Sequence, residues 1–171
     1  MKTVKVSYPF GLTFLDYPNA IDHAVIIYMI GCDNNCISCH NLKFKDINYG
    51  EDIKELYLSE LIDEIKIQFK KNKTNKLILS GGDPLAKNNI EFTKNIIHFI
   101  NKNVCIYTGK SIDFVKENNV FGFEYIKCGT YDETNKQISE KTDNYIQFAS
   151  KNQELYGKDY KQLSINGRYY F

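Results

Sequence analysis

A chain of 171 residues with 43% apolar and 25% charged residues has the size and composition of one soluble domain with a real hydrophobic core. Its formal net charge of +1 gives no electrostatic basis for nucleic acid or a membrane surface as partner, and its longest apolar run, Ala24 to Ile30, is too short to span a bilayer. The N-terminal stretch lacks the continuous apolar core of a signal peptide, so the expected setting is cytoplasmic, where thiols stay reduced.

The first periodic element, AVIIYMI (Ala24 to Ile30), is apolar on both faces and predicts a buried strand. LSELIDEIKIQFKK (Leu58 to Lys71) puts Leu61, Ile62, Ile65 and Phe69 on one helical face, with Ser59 as the expected N-cap. The basic run Lys70 to Lys76 reads as a solvated helix end and loop. KLILS (Lys76 to Ser80) is a second strand, ending in Gly-Gly-Asp-Pro. In the helix predicted over Asn88 to Lys102, Ile90, Thr93, Ile97 and Ile100 form one stripe, with Phe92, Ile96 and Phe99 beside it. Val104 to Gly109 is a third strand, Ser111 caps a short helix, and Phe123 to Gly129 is a fourth strand.

Strands alternating with helices over short connections predict βαβ units and a mostly parallel sheet. A complete eight-fold barrel needs about 250 residues. The expected fold is therefore α/β, a single domain over 1–171 built as an incomplete, open (βα) barrel with a curved sheet. Ligands of such sheets gather at the C-terminal ends of the strands. At the C-terminus, Asn166-Gly167 between LSI and RYYF predicts a two-residue type I′ hairpin, within about 160–171. Its expected role is to cover an edge strand, and the aromatic tail Tyr169 to Phe171 is a candidate partner contact.

The chemistry concentrates in GCDNNCISCHN, where Cys32, Cys36 and Cys39 stand in a C-x3-C-x2-C spacing. Five cysteines, three of them clustered, argue for a metal centre over a disulfide framework. Structural zinc and electron-transfer clusters want four protein ligands. Cys105 and Cys128 fall inside apolar strands, and His40 is adjacent to Cys39, so no fourth ligand is evident. Three thiolates suit a 4Fe–4S cluster with one iron left open. Beyond the second strand, Gly81 and Gly82 allow close backbone approach to a ligand, and Asp83 offers an anion suited to an ammonium group. Thr108 either reaches a ribose or carboxylate or caps the following turn.

CDNNCISC with GGDP resembles the radical S-adenosylmethionine superfamily, here with Asp at the acidic position. LDYPN, LSGGDPL, IYTG, YIKCGTY and FASKNQELY, in that order, resemble more narrowly the activating enzymes of anaerobic ribonucleoside-triphosphate reductase. The resemblance covers about Tyr8 to Tyr156. It implies that Cys32, Cys36 and Cys39 hold a 4Fe–4S cluster with one open iron site and that S-adenosylmethionine is the second cofactor. Gly81, Gly82 and Asp83 would line its methionyl end, and the backbone around Ser38 and His40 would border the nucleoside. Ser38 stands where the superfamily usually has an aromatic residue. Some members carry Asp and Lys after the fourth strand; this chain lacks both there, and Lys127 is the candidate cation. The implied partners are the large glycyl-radical subunit of the reductase, whose glycine would lose a hydrogen, and a one-electron donor. Alternatives are a pyruvate formate-lyase-type activase, a small radical enzyme acting on a metabolite, and a noncatalytic iron–sulfur protein for electron transfer or sensing.

Overall fold

The computed structural model describes residues 2–18 and 23–171. Asn19, the last residue of LDYPN, lies outside the described residues. In chain order the first elements are β1 (Thr3–Ser7), β2 (Gly11–Thr13), β3 (Ala24–Met29), β4 (Ile53–Tyr57), α1 (Leu58–Asn72), β5 (Leu77–Gly81) and α2 (Ile90–Ile100). They are followed by β6 (Val104–Tyr107), α3 (Ile112–Glu117), β7 (Tyr125–Cys128), β8 (Glu140–Lys141), β9 (Tyr145–Gln147), β10 (Glu154–Gly157), β11 (Ser164–Ile165) and β12 (Arg168–Tyr170).

The four strands expected from the apolar runs are the parallel heart of the main sheet, β3-β5-β6-β7. Their order in space follows their order in the chain. Strand alternation explains how both faces become buried. Val25, Ile27, Leu77, Leu79, Val104, Ile106 and Ile126 point to one side, where they meet Leu61, Ile62 and Ile65 of α1, Phe92, Ile96 and Ile97 of α2 and Val115 of α3. All three helices thus cover the same face. Each such side chain, taken from water to full burial, contributes about 1.5–3 kcal/mol. Ala24, Ile26, Ile78 and Cys105 form a smaller cluster on the other face, joined by Tyr17 from the loop after β2.

The sheet is more mixed at its margins than the sequence indicated. β1 and β2 run antiparallel along the outer edge of β3, β4 pairs antiparallel with β1, and β10 closes the far side antiparallel to β7. Among the described residues the ends of the order, β10 and β4, do not pair. These edge strands are short and alternate polar with apolar residues, which left them without a continuous apolar signature. No helix among the described residues is long and apolar enough to cross a membrane.

Two helix boundaries are corrected. β4 runs directly into α1, so the N-cap is Tyr57 and Ser59 lies inside the first turn. The register Thr3↔Tyr57 holds Tyr57 extended, and its N–H donates to Glu60 Oε2 at 2.8 Å. α2 starts at Ile90 because the side chains of Asn88 and Asn89 are drawn to β3, and Phe99 is 56% exposed instead of flanking the stripe. Ser111 caps α3 as expected, its Oγ accepting from Phe114 N at 3.2 Å.

The C-terminal hairpin forms, with Ile165 opposite Arg168 and both turn residues at positive φ, 49° for Asn166 and 71° for Gly167. It covers the β10 edge of the main sheet as expected, through its first strand, where Ser164 Oγ accepts from Leu155 N at 2.6 Å, and through the residues that lead into it. β12 pairs with β9 in a separate antiparallel sheet, β11-β12-β9-β8, whose small core holds Ile146, Phe148, Leu155 and Tyr169. In that lead-in, Leu163 N donates to Leu155 O at 2.8 Å and Gln162 bridges Tyr156. A side chain at Gly167 would demand left-handed backbone and meet Ser150 O at 2.8 Å. Gly167→Ala should cost about 1–3 kcal/mol, read as a lower urea midpoint with unchanged slope.

Candidate functional site

The cysteine loop leaves the C-terminal end of β3. Gly31, at φ 100°, turns the chain out, and two main-chain bonds pin the ends of the excursion together: Gly31 N to Phe44 O at 2.8 Å and Cys32 N to Lys45 O at 3.2 Å. The turn after β5 is tied to the same bend, Gly82 N donating to Met29 O at 2.8 Å and Asp83 N to Gly31 O at 2.9 Å. Parallel pairing of β3 with β5 therefore sets the two motifs side by side, although about forty residues separate them in the chain.

This closeness explains the glycines. A Cβ at Gly81 would stand 2.5 Å from Met29 N, and one at Gly82 would strike Gly31 O and Phe44 O. The close approach at Gly81 and Gly82 is thus to the protein's own backbone. A contact with a ligand, if made, comes from their main chain.

Asp83 is fully buried, and its carboxylate is fully used. Oδ1 accepts from Leu85 N and from Thr108 Oγ1, both at 2.7 Å; Oδ2 accepts from Gly109 N at 2.9 Å and from Asn34 Nδ2. Those four bonds fill the acceptor capacity of a carboxylate, so none remains for an ammonium group. The direct ligand contact expected of Asp83 is replaced by a structural one: it ties β5, β6 and the cysteine loop together. Burial pushes its carboxyl above the ordinary value, and the four donors pull it back down. Thr108 is likewise buried. Its hydroxyl donates to Asp83 and accepts from Lys110 N at 3.0 Å, the turn-capping alternative.

Cys32, Cys36 and Cys39 are free and half-buried. Cys32 Sγ accepts from Asn34 N at 3.4 Å, and burial pushes its thiol up. Among the described residues, no three His, Cys, Asp or Glu side chains converge on a common metal position. In kind and number the donors nonetheless fit an iron–sulfur cluster: three free thiols on one loop, with no acidic side chain closing a harder site. Cys105 and Cys128 are buried in β6 and β7, and burial pushes Cys105 well up and Cys128 to about 12. Ser38, at φ 60°, and His40 are exposed beside Cys39, and the His40 ring meets Tyr131 edge-on at 4.6 Å between centroids.

Lys127 faces the helix-free side of β7, and its carbonyl accepts from Thr108 N at 2.9 Å. Its ammonium sits 4.9 Å from the Tyr107 ring centroid and 5.9 Å from that of Phe148, lining a cavity of about 160 Å³ with Asp16 and Ser139. Burial lowers its amine to about 8.

Five contributors escaped the sequence reading: Asp33, Asn34, Asn88, Asn89 and Lys110. Asn89 Nδ2 donates to Asp83 O at 2.8 Å and to Ile30 O at 3.2 Å; Asn88 Nδ2 reaches Ile30 O at 3.1 Å. Two asparagines before an apolar helical run are a recognisable signal, since their side chains compete for backbone groups. Nothing in the sequence names their partners.

Two variants probe these groups. In Asp83→Asn the amide brings donors to face donors, and unfolding free energy should fall by about 1–3 kcal/mol; an unchanged denaturation midpoint would show that the charge is dispensable. Lys127→Met removes a charge whose burial disfavours the folded state below pH 8. Wild-type stability should rise relative to this variant as pH climbs from about 8 toward the ordinary lysine value, where the unfolded chain alone still holds the proton. Parallel curves across that window would contradict the burial of Lys127.

With this geometry in place, comparison with known proteins is informative. The pattern of the 4Fe-4S single cluster domain matches residues 23–156, which includes the cysteine loop, the Asp83 turn and all four parallel strands. The chain is also similar to an anaerobic ribonucleoside-triphosphate reductase-activating protein of Enterobacteria phage T4, 23% identical over 137 residues that cover 75% of this chain and 85% of that protein. Three free thiols on a loop at the ends of parallel strands, together with a family match over most of the length, lead to one assignment: the chain belongs to the 4Fe-4S single cluster domain family.

Proposed function

We propose that the chain is a radical S-adenosylmethionine enzyme that activates an anaerobic ribonucleoside-triphosphate reductase by forming a glycyl radical on its large subunit. The observation that carries this reading is the division of the cysteines. Cys32, Cys36 and Cys39 are half-exposed on one loop, whereas Cys105 and Cys128 are enclosed in strands. A cluster held by the three loop thiolates would keep one iron free of protein ligand, as a catalytic centre requires. When bound by Cys32, Cys36 and Cys39 and reduced by an external one-electron donor, such a cluster would supply the one-electron chemistry for reductive cleavage of S-adenosylmethionine and, through it, for hydrogen abstraction from the partner's glycine.

The chain's own residues hold and enclose. The main chain at Gly81 and Gly82 borders the methionyl end, Ser38 and His40 border the nucleoside, and Lys127 offers a cation to the methionyl carboxylate. Asp83 and Thr108 keep the strand ends in register. Consecutive parallel strands with every helix on one face are the winding of a (βα) barrel, here left incomplete. Such an open form leaves lateral access for a backbone segment of the large subunit, which would complete the site and exclude water. The similarity to the phage T4 activating protein supports this choice of partner.

Anaerobic reconstitution with iron, sulfide, S-adenosylmethionine and a reductant tests the reading. The expected products are 5′-deoxyadenosine and, with the large subunit present, a glycyl-radical resonance. Cys32→Ala, Cys36→Ala and Cys39→Ala should each abolish both and bleach the cluster's visible absorption. Cys105→Ala and Cys128→Ala should retain all three signals. Loss of the cluster in either strand variant would point to a four-ligand, noncatalytic centre.

A further inference from the structure

The cysteine loop is gripped by side chains before and after its middle stretch, Asn35 to Cys39, but not along it. Asp33 Oδ1 lies 2.5 Å from Lys110 Nζ, and Asp33 Oδ2 accepts from Lys87 N at 3.4 Å. Lys110 is no ordinary surface lysine: its side chain is 15% exposed and its ammonium sits 5.3 Å from the Phe114 ring centroid. The neighbouring Asn34 donates to Asp83, and its amide lies so close to Gly109 that a Cβ there would be 2.5 Å from Nδ2. Three consecutive residues after β6 therefore grip the site in turn: Thr108 through Asp83, Gly109 against Asn34, and Lys110 through Asp33. From Asn35 to Cys39 the grip lapses; it resumes at Asn41, whose Nδ2 donates to Gly81 O at 3.3 Å. No side chain from Asn35 to Cys39 makes a hydrogen bond or ion pair among the described residues, and Ile37 is 79% exposed.

We propose that Lys110 and Asn34 are positioning residues for the iron–sulfur centre: they hold Asp33 and Cys32 as a fixed post onto which Cys36 and Cys39 close when the cluster is loaded. The inference rests on the three loop cysteines being the ligands. It also has an electrostatic side. Reduction adds negative charge beside Cys32, where Asp33 already carries one. The Lys110 ammonium offsets the Asp33 charge at contact distance, an effect that water reduces in part because the Asp33 side chain is 47% exposed. It therefore favours entry of the electron, one of the levers by which a protein sets a cluster's potential.

The test is anaerobic loading with iron and sulfide of the wild-type chain and of Lys110→Met, Lys110→Arg, Asp33→Asn, Asn34→Ala, the single reversals Asp33→Lys and Lys110→Asp, and the exchanged pair that combines these two. Iron per chain against time, the potential of the loaded centre and the melting temperature of the iron-free chain are read separately. Lys110→Met and Asn34→Ala should load on the order of tenfold more slowly. Lys110→Met should shift the potential negative and Asp33→Asn positive, while Lys110→Arg should match wild type in both. The exchanged pair should load faster than either single reversal. Wild-type loading in Lys110→Met and Asn34→Ala, shifts of the same sign at Lys110 and Asp33, or no recovery in the exchanged pair would each overturn the proposal. A loss that only follows a lower melting temperature, shared by Lys110→Arg, would do the same. If the wild-type chain takes up no iron, the ligand reading itself falls, and the inference with it.

Discussion

The buried carboxylate of Asp83 is the constraint on which the site depends. A charged group out of water is tolerated only when its acceptor capacity is filled, and here four donors from three separate segments fill it. Leu85 supplies the turn after β5, Thr108 and Gly109 the end of β6, and Asn34 the cysteine loop. None of these segments fixes another through sequence proximity. Their mutual position follows from sharing one anion whose every vacant acceptor position would cost free energy. A buried carboxylate thus converts a hydrogen-bonding requirement into a positional one, and the loop that carries the thiols inherits that precision in its first half.

The glycines complete the same arrangement by subtraction. Gly81 and Gly82 let the turn after β5 sit directly on the backbone of Met29, Gly31 and Phe44, and Gly109 admits the Asn34 amide. A Cβ at Gly81 or Gly82 would stand about 2.5 Å from backbone atoms, so the strand ends would have to shift, and one at Gly109 would displace the Asn34 amide. The cysteine loop is tied to these same strand ends, through Asp83 N to Gly31 O and Asn41 Nδ2 to Gly81 O, so its position follows theirs. Backbone packing alone therefore demands glycine at these places, so a motif read as ligand contact serves as chain contact.

Outside the site the molecule divides its labour. The parallel strands and three helices provide an apolar frame that holds the strand ends still. The second, smaller sheet packs where Tyr125 and Leu155 turn away from the helices, and it stiffens the end of the main sheet beside β10. Between the two lies Lys127, an amine kept against aromatic faces without a carboxylate at contact distance among the described residues. The fold thus leaves one cation facing the helix-free side while pairing another, Lys110, tightly beside the thiols.

The sequence determined by itself whatever depends on neighbours along the chain. The four parallel strands were legible because burial on both faces leaves continuous apolar runs. The helices were legible from their 3.6-residue stripes, the cap at Ser111 from local hydrogen-bond chemistry, and the hairpin from Asn166-Gly167. Tertiary structure alone decided the antiparallel margins, the N-cap at Tyr57, the placement of the C-terminal hairpin in a second sheet and the inward turn of Asp83. Each of these is settled by a partner far away in the chain: Thr3 across from Tyr57, Ile146 across from Tyr169, Asn34 and Thr108 on either side of Asp83. A carboxylate after two glycines reads equally as a ligand-facing anion or as a buried tie. Only the donors that close around it distinguish the two, and their positions are a property of the folded chain.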